Sequence, residues 1–357
     1  MKKILTIALV AVLAATSVFA GVSFSGKFNQ GYTFKFAKDK DFASTPWKTN
    51  EAKFVIKASD DDGIWSVNLK NTGKLDTSDA WAANASVSLT KILAAAGVDT
   101  GDFSLALSLG NNSKMTALSA YNDVTGNEYY KLKNNGSESF QLAAAYGKLV
   151  KFNIAADPTN NVNKPSTVLS LSTEPVSGLS VAAAYAYRGY FDNAVAGKGV
   201  TADHMIGASA KVDVAKLADL DFKLNVSAYD NIAFGNVLKY NETSEKVDTP
   251  VENNKLNSFA VAVEGGVDVV DGFVEFAMKN EENANVYALN TQVNFNVVDG
   301  LGLDAYFNIA DLANTGDSFK VGADASYKLS GVEFALKAEY ASKDTSFSVT
   351  PKMIIVF

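Results

Sequence analysis

The chain ends Phe-Ser-Val-Thr-Pro-Lys-Met-Ile-Ile-Val-Phe, residues Phe347 to Phe357. Apolar side chains recur at Phe347, Val349, Met353, Ile355 and Phe357. A period of two sets all five on one face of an extended strand. The same alternation runs from Val22 to Phe36. Val22, Phe24, Phe28, Tyr32, Phe34 and Phe36 share one register, and Ser23, Ser25, Lys27, Asn29, Thr33 and Lys35 share the other. That run exceeds the roughly 5–6 residues of an ordinary strand. Two long strands of one character, near opposite ends of the chain, set the question that the residues between them must answer.

The N-terminus reads as an export signal. Lys2 and Lys3 precede an apolar run from Ile4 to Ala15, and Val18-Phe19-Ala20 supplies small residues at the positions that decide cleavage. This predicts a signal peptide over 1–20, cut after Ala20. The run is shorter than the ~20 residues of a spanning helix, and the best later stretch, Lys91 to Val98, is short and Ala-rich, so no helical anchor is expected. Cysteine is absent, which excludes the small disulfide-stapled class. The net charge of −7 argues against nucleic acid as a partner, and removal of Lys2 and Lys3 makes it more negative. Mean hydropathy is +0.01, which is neither that of a helical membrane protein nor that of a disordered chain. No linker divides residues 21–357, and the span is long for one soluble core.

Alternating runs follow one another along the chain. Asp271-Gly272, Asp299-Gly300 and Ser330-Gly331 separate pairs of them, as hairpin turns do. Tight connections alternate with long ones at 37–50, 157–165, 191–202 and 231–257. In the clearest strands the apolar register holds no Asp, Glu, Lys or Arg. The opposite register carries Lys211, Asp213, Lys223, Asp304, Asp324, Glu333, Lys337, Glu339 and others. A cationic side chain in midplane lipid costs roughly 2–4 kcal/mol, which accounts for the exclusion. A soluble sandwich would segregate its faces similarly, but one of this size would be unusual and would leave edges to protect. Aromatics also sit near strand ends in the apolar register. Phe24 and Phe34 lie ten residues apart, about 25 Å of height on a tilted strand, the height of an apolar band. Tyr229 is an exception, falling in the polar register.

The whole pattern resembles porin-type bacterial outer-membrane β-barrels, and the last strand resembles the closing strand of that family. There a terminal aromatic with apolar residues two and four positions before it, here Phe357, Ile355 and Met353, is read by the barrel-assembly machinery. The expected fold is all-β: a single closed antiparallel transmembrane β-barrel of about 18–20 strands, with 16 as the lower alternative. Twenty includes Met115 to Tyr121 and Glu128 to Lys133 as a pair, and eighteen omits them. The resemblance implies an outer-membrane location, lipid around the wall, and passive diffusion of small hydrophilic solutes. Many porins are trimers, but no trimer face is visible in this sequence. With Val22 directly after the cleavage site, no plug domain is expected.

Candidate pore-lining residues are Lys27, Lys35, Lys53 and Lys57 on the first strands and Asp304, Asp324, Glu333 and Glu339 near the end. In a closed barrel these walls adjoin, giving either a polarised constriction or a lumen of paired charges. The connection Asn231 to Asn257 either folds into the lumen or lies on the surface. Asp60-Asp61-Asp62 lacks the Gly and final Glu of a calcium loop and reads as a solvated turn. His204, the only histidine, and Ser209 fall in opposite registers, against a hydrolase pair. No phosphate loop, metal cluster or Cys nucleophile is present, so neither a cofactor nor an enzyme is expected. The rival function is a non-conducting surface barrel, an adhesin or structural antigen that displays its loops.

Overall fold

The computed structural model describes residues 21–46, 52–71, 81–110, 131–133, 139–157, 166–188, 190–192, 199–241, 246–251, 255–281 and 284–356. The strands are Val22–Ala37 (β1), Ala43–Pro46 (β2), Ala52–Ser59 (β3), Trp65–Asn71 (β4), Trp81–Ser88 (β5) and Phe103–Gly110 (β6). Lys131–Lys133 (β7), Ser139–Tyr146 (β8), Val150–Asp157 (β9), Ser166–Val176 (β10), Leu179–Tyr187 (β11), Tyr190–Asp192 (β12) and Gly199–Thr201 (β13) follow. Next come His204–Asp213 (β14), Lys223–Phe234 (β15), Leu238–Asn241 (β16), Lys246–Pro250 (β17), Lys255–Val267 (β18) and Val270–Glu281 (β19). Ala284–Val298 (β20), Leu301–Ile309 (β21), Phe319–Leu329 (β22), Val332–Ala341 (β23) and Ser346–Val356 (β24) complete the chain.

Each wall strand pairs antiparallel with the next, and β24 returns to β1, from Lys27 opposite Val356 to Ala37 opposite Ser346. β2 and β3 share one place in the wall. β3 lies against the first half of β1 and β2 against the second. The result is a closed antiparallel barrel of eighteen strands. The expected count is corrected accordingly, and neither twenty nor sixteen stands. β6 pairs directly with β8, from Phe103 opposite Tyr146 to Gly110 opposite Ser139, so nothing from 111–138 enters the wall between them. Lys131–Lys133 joins a second sheet of five short strands, in the order β17-β16-β13-β12-β7. Met115 to Tyr121 lies outside the described residues.

Turn chemistry explains the hairpins. Between β22 and β23, Ser330 and Gly331 both hold positive φ, 48° and 83°. That pair of signs matches the twist of the flanking strands. Two turns on the same side carry short helices instead. Ser88 caps Leu89–Ala95 by accepting from Lys91 N–H, and Asp213 caps Val214–Ala218 by accepting from Lys216 N–H. After the second of these helices, β15 begins only at Lys223.

Burial is inverted relative to a soluble protein. Val261, Val263, Val274, Leu109 and Phe334 are exposed, while Glu264, Glu275, Asn290 and Asn225 are buried. The ladders put the exposed apolar residues in one register all round the cylinder and the polar ones in the other. Hydrocarbon outside and polar groups inside is the arrangement that gives each register a matching medium.

The seam between first and last strands depends on a close approach. Pro351 offers no N–H to the ladder, and the pairing is interrupted, without change of register, between Gly31–Lys352 and Phe34–Val349. A Cβ on Gly31 would sit 2.6 Å from the Pro351 carbonyl oxygen. Gly31→Val is expected to destabilise the folded barrel by about 1–3 kcal/mol, read as a lower denaturant midpoint in a bilayer and loss of the compact band on unheated gels.

Candidate functional site

Charged side chains line much of the inner face of the wall. On the closing strands they are paired. Lys352 Nζ lies 2.5 Å from Asp324. The Tyr306 hydroxyl donates to Glu339 at 2.5 Å, and Lys337 Nζ reaches the same carboxylate at 3.0 Å. Lys328 and Glu333 are 3.6 Å apart. Asp304 stands opposite Asp324 in the ladder.

The first strands differ. Lys27 stands opposite Lys53, and Lys57 opposite Ser23 and Asn68. Lys70, which sequence reasoning did not select, shares the register opposite Val55 and Ala82. Lys27, Lys57 and Lys70 are exposed on that face and make no ion pair among the described residues. Lys35 is the exception, bonding Asp344 in the turn between β23 and β24. The candidate lysines and carboxylates thus share the inner register, with different electrostatics. The acidic strands are largely self-neutralised and the basic ones are not.

A third part of the inner face is apolar. Val168, Ala184, Ala186, Met205, Ala233, Leu256, Ala260 and Ala277 occupy inward positions on β10 to β19 and are buried. Water does not cover them; chain does. Val200, Ala202, Val237 and Val251, from the connections between β11 and β14 and between β15 and β18, complete one cluster with these side chains and with Tyr229. Val237 is 0% exposed and Val251 3%. Fully burying one such valine contributes roughly 1.5–3 kcal/mol. Tyr229 is inward because it packs here.

The connection expected over 231–257 is therefore shorter, since strand pairing holds Asn231–Phe234 and Lys255–Asn257. Of its remainder, the described residues Val237 and Val251 pack against the inner wall. Val251 N–H bonds Val237 C=O at 3.0 Å and closes the hairpin β16–β17. Of its acidic residues, Asp248 is exposed, while Glu242, Glu245 and Glu252 lie outside the described residues. A signal for this packing was present in Leu179–Tyr187, LSVAAAYAY, which is apolar in both registers. Lower on the same wall, Glu264 is 3% exposed. It accepts from Asn225 at 3.1 Å and lies 3.8 Å from Lys211 and 4.0 Å from Lys223.

The remaining candidates separate. Ser209 is buried inward, whereas His204 shares the outward register and lies 2.8 Å from the Tyr185 hydroxyl. The two side chains do not meet. Asp60 accepts from Trp65 N–H at 2.9 Å and serves the turn. Met353 and Ile355 are outward on β24, and Phe357 and Ala20 lie outside the described residues.

A closed cylinder of antiparallel strands, apolar on its outer face and charged within, has the fold of a transmembrane β-barrel. No protein-family model and no curated relative matches the sequence. Among solved structures the chain is similar to Pseudomonas aeruginosa OpdQ, at 10% identity and a TM-score of 0.56, over 95% of this chain and 99% of that one. P. aeruginosa OccK8 (OprE) aligns at 9% identity and a TM-score of 0.54, again over 95% and 99%. A mutant Rh. blastica porin aligns at 11% identity over 94% of this chain and 100% of that one, but its TM-score of 0.48 is too low to carry weight. At these identities the likeness is one of fold.

Lys35 and the Ser346 hydroxyl, both bonded to Asp344, lower its pKa to about 2. A depressed carboxylate stabilises the fold above its ordinary value of 3.8 and loses that contribution as pH falls through about 2. The pair is partly exposed, so its worth is at most about 1 kcal/mol. Lys35→Ala is expected to return the Asp344 titration toward the ordinary carboxylate range, followed by carbon-13 carboxyl shifts between pH 2 and 5. Deleting residues 239–249 is expected to raise single-channel conductance, because it removes most of the hairpin β16–β17 that pairs with β13.

Proposed function

We propose that the protein is an outer-membrane porin, a passive water-filled diffusion channel for small hydrophilic solutes. One observation carries the reading: an eighteen-strand wall whose inner register is charged. A cylinder of this size is too wide for its own side chains to fill, and a charged inner register requires water. Export through the signal peptide over 1–20, and recognition of the final strand at Met353, Ile355 and Phe357 by the assembly machinery, belong to the same proposal. The mechanism needs no reaction and no cofactor. Solutes pass down their gradient, sorted by width and charge.

The sorting follows from the asymmetry of the wall. Lys27, Lys57 and Lys70 project a positive field that no ion pair among the described residues cancels, whereas Asp324, Glu333 and Glu339 sit against lysines. The unbalanced lysines favour anions at that side of the lumen. The inward packing of Val237 and Val251 tells against the display reading, since it holds that part of the connection away from the surface.

Reconstitution of the mature protein in planar bilayers is expected to give stepwise conductance. Folded protein that inserts without conducting would sink the channel and favour a surface antigen. In a salt gradient, Lys27→Glu with Lys57→Glu is expected to move the reversal potential toward cation preference. An unchanged potential would remove the charge-sorting part and leave the channel.

A further inference from the structure

The chain contains one arginine and one histidine, and the fold sets them side by side. Tyr187 and His204 are ladder partners in the outward register, at the long-loop ends of β11 and β14. Arg188 follows Tyr187. Its backbone N–H donates to Asp203 C=O at 2.8 Å, and its guanidinium carbon lies 4.9 Å from the centre of the Tyr187 ring. It holds φ at +52°, an uncommon conformation for so large a side chain.

His204 is bracketed by aromatic rings. Its centroid lies 5.2 Å from Phe234 and 5.8 Å from Tyr187, and Nδ1 is 2.8 Å from the Tyr185 hydroxyl. Phe234 stands opposite Lys255, an exposed residue that extends the row to β18. Arg188, His204 and Lys255 thus follow one another along the outer face, at the level of the aromatic girdle. Neither Arg188 nor Lys255 makes an ion pair among the described residues. Two carboxylates adjoin the row. Asp203 accepts from Asn236 N–H at 3.2 Å, and Asp230 lies outward on β15 opposite Phe259.

Everywhere else the chain makes its positive charge with lysine. Lysine is a hydrated point charge. Arginine is a planar fork that stacks on an aromatic face and offers paired donors to phosphate. The aromatic girdle is the depth at which headgroups lie. We propose that this row binds the phosphate of a lipid headgroup in the leaflet on the long-loop side. Arg188, steadied on Tyr187, forks onto the phosphate oxygens. Lys255 adds a second positive charge, and His204 holds the ring array that positions Arg188. The proposal depends on the membrane-spanning fold and not on whether the barrel conducts.

The test uses the mature protein folded in detergent micelles and native mass spectrometry. The probes are phosphatidic acid and diacylglycerol with the same acyl chains. Phosphatidic acid is expected to stay bound where diacylglycerol does not. Arg188→Ala with Lys255→Ala is expected to weaken its retention roughly tenfold or more, while heat-modifiable gel migration is unchanged. Arg188→Lys should lose part of the retention, because lysine keeps the charge without the fork. Lys148→Ala, on the tight-turn side, should leave retention as it is. Equal retention by the double variant, equal loss in Lys148→Ala, or displacement of the lipid by millimolar inorganic phosphate would each overturn the proposal. The last would mark a free-anion site instead.

Discussion

Hydrocarbon accepts no hydrogen bonds, and that constraint organises this molecule. Each backbone N–H and C=O in the wall must find a partner within the protein, because an unpaired group in lipid costs several kcal/mol. The pairing of β24 with β1 is therefore the condition on which the other pairings rest. It joins residues more than three hundred positions apart in sequence, from Lys27 opposite Val356 to Ala37 opposite Ser346. The weak point of that junction is Pro351, and Gly31 lets the two backbones approach there.

Closure makes an inside, and the inside is not uniform. One sector carries lysines that make no ion pair among the described residues, the neighbouring sector carries carboxylates matched with lysines, and a third is apolar and covered by inward-folded chain. Each sector has its own physical reason. Exposed lysines are tolerated because water solvates them. Carboxylates in close array need counter-charges, which Lys320, Lys328, Lys337 and Lys352 supply. Alanines and valines on a lumen wall require cover, which Val200, Val237 and Val251 provide.

The outer surface was legible in the sequence because lipid admits few side chains. Alternation in Val22–Ala37 and in Phe319–Leu329 gave both the strands and their lipid face. The hairpins were legible where turn residues have special backbone needs, as at Ser330-Gly331. The strand number was not. Met115 to Lys133 alternates weakly enough to pass for a hairpin, and only the direct pairing of β6 with β8 excludes it from the wall. The lumen was legible as a register but not as a set of sectors. Alternation places Lys27 and Glu339 on one face, yet it says nothing of which lysine reaches which carboxylate across three strands. The covered sector went unread because the inward register of β11, Ala182, Ala184 and Ala186, carries only small side chains, although two apolar registers in one strand mean two apolar neighbours.

The five-stranded inner sheet draws its strands from three separate connections: β7 from one, β12 and β13 from a second, β16 and β17 from a third. Such a ladder makes these connections hostages to one another. An insertion in any of them shifts the register of the rest, so their lengths can change only in concert.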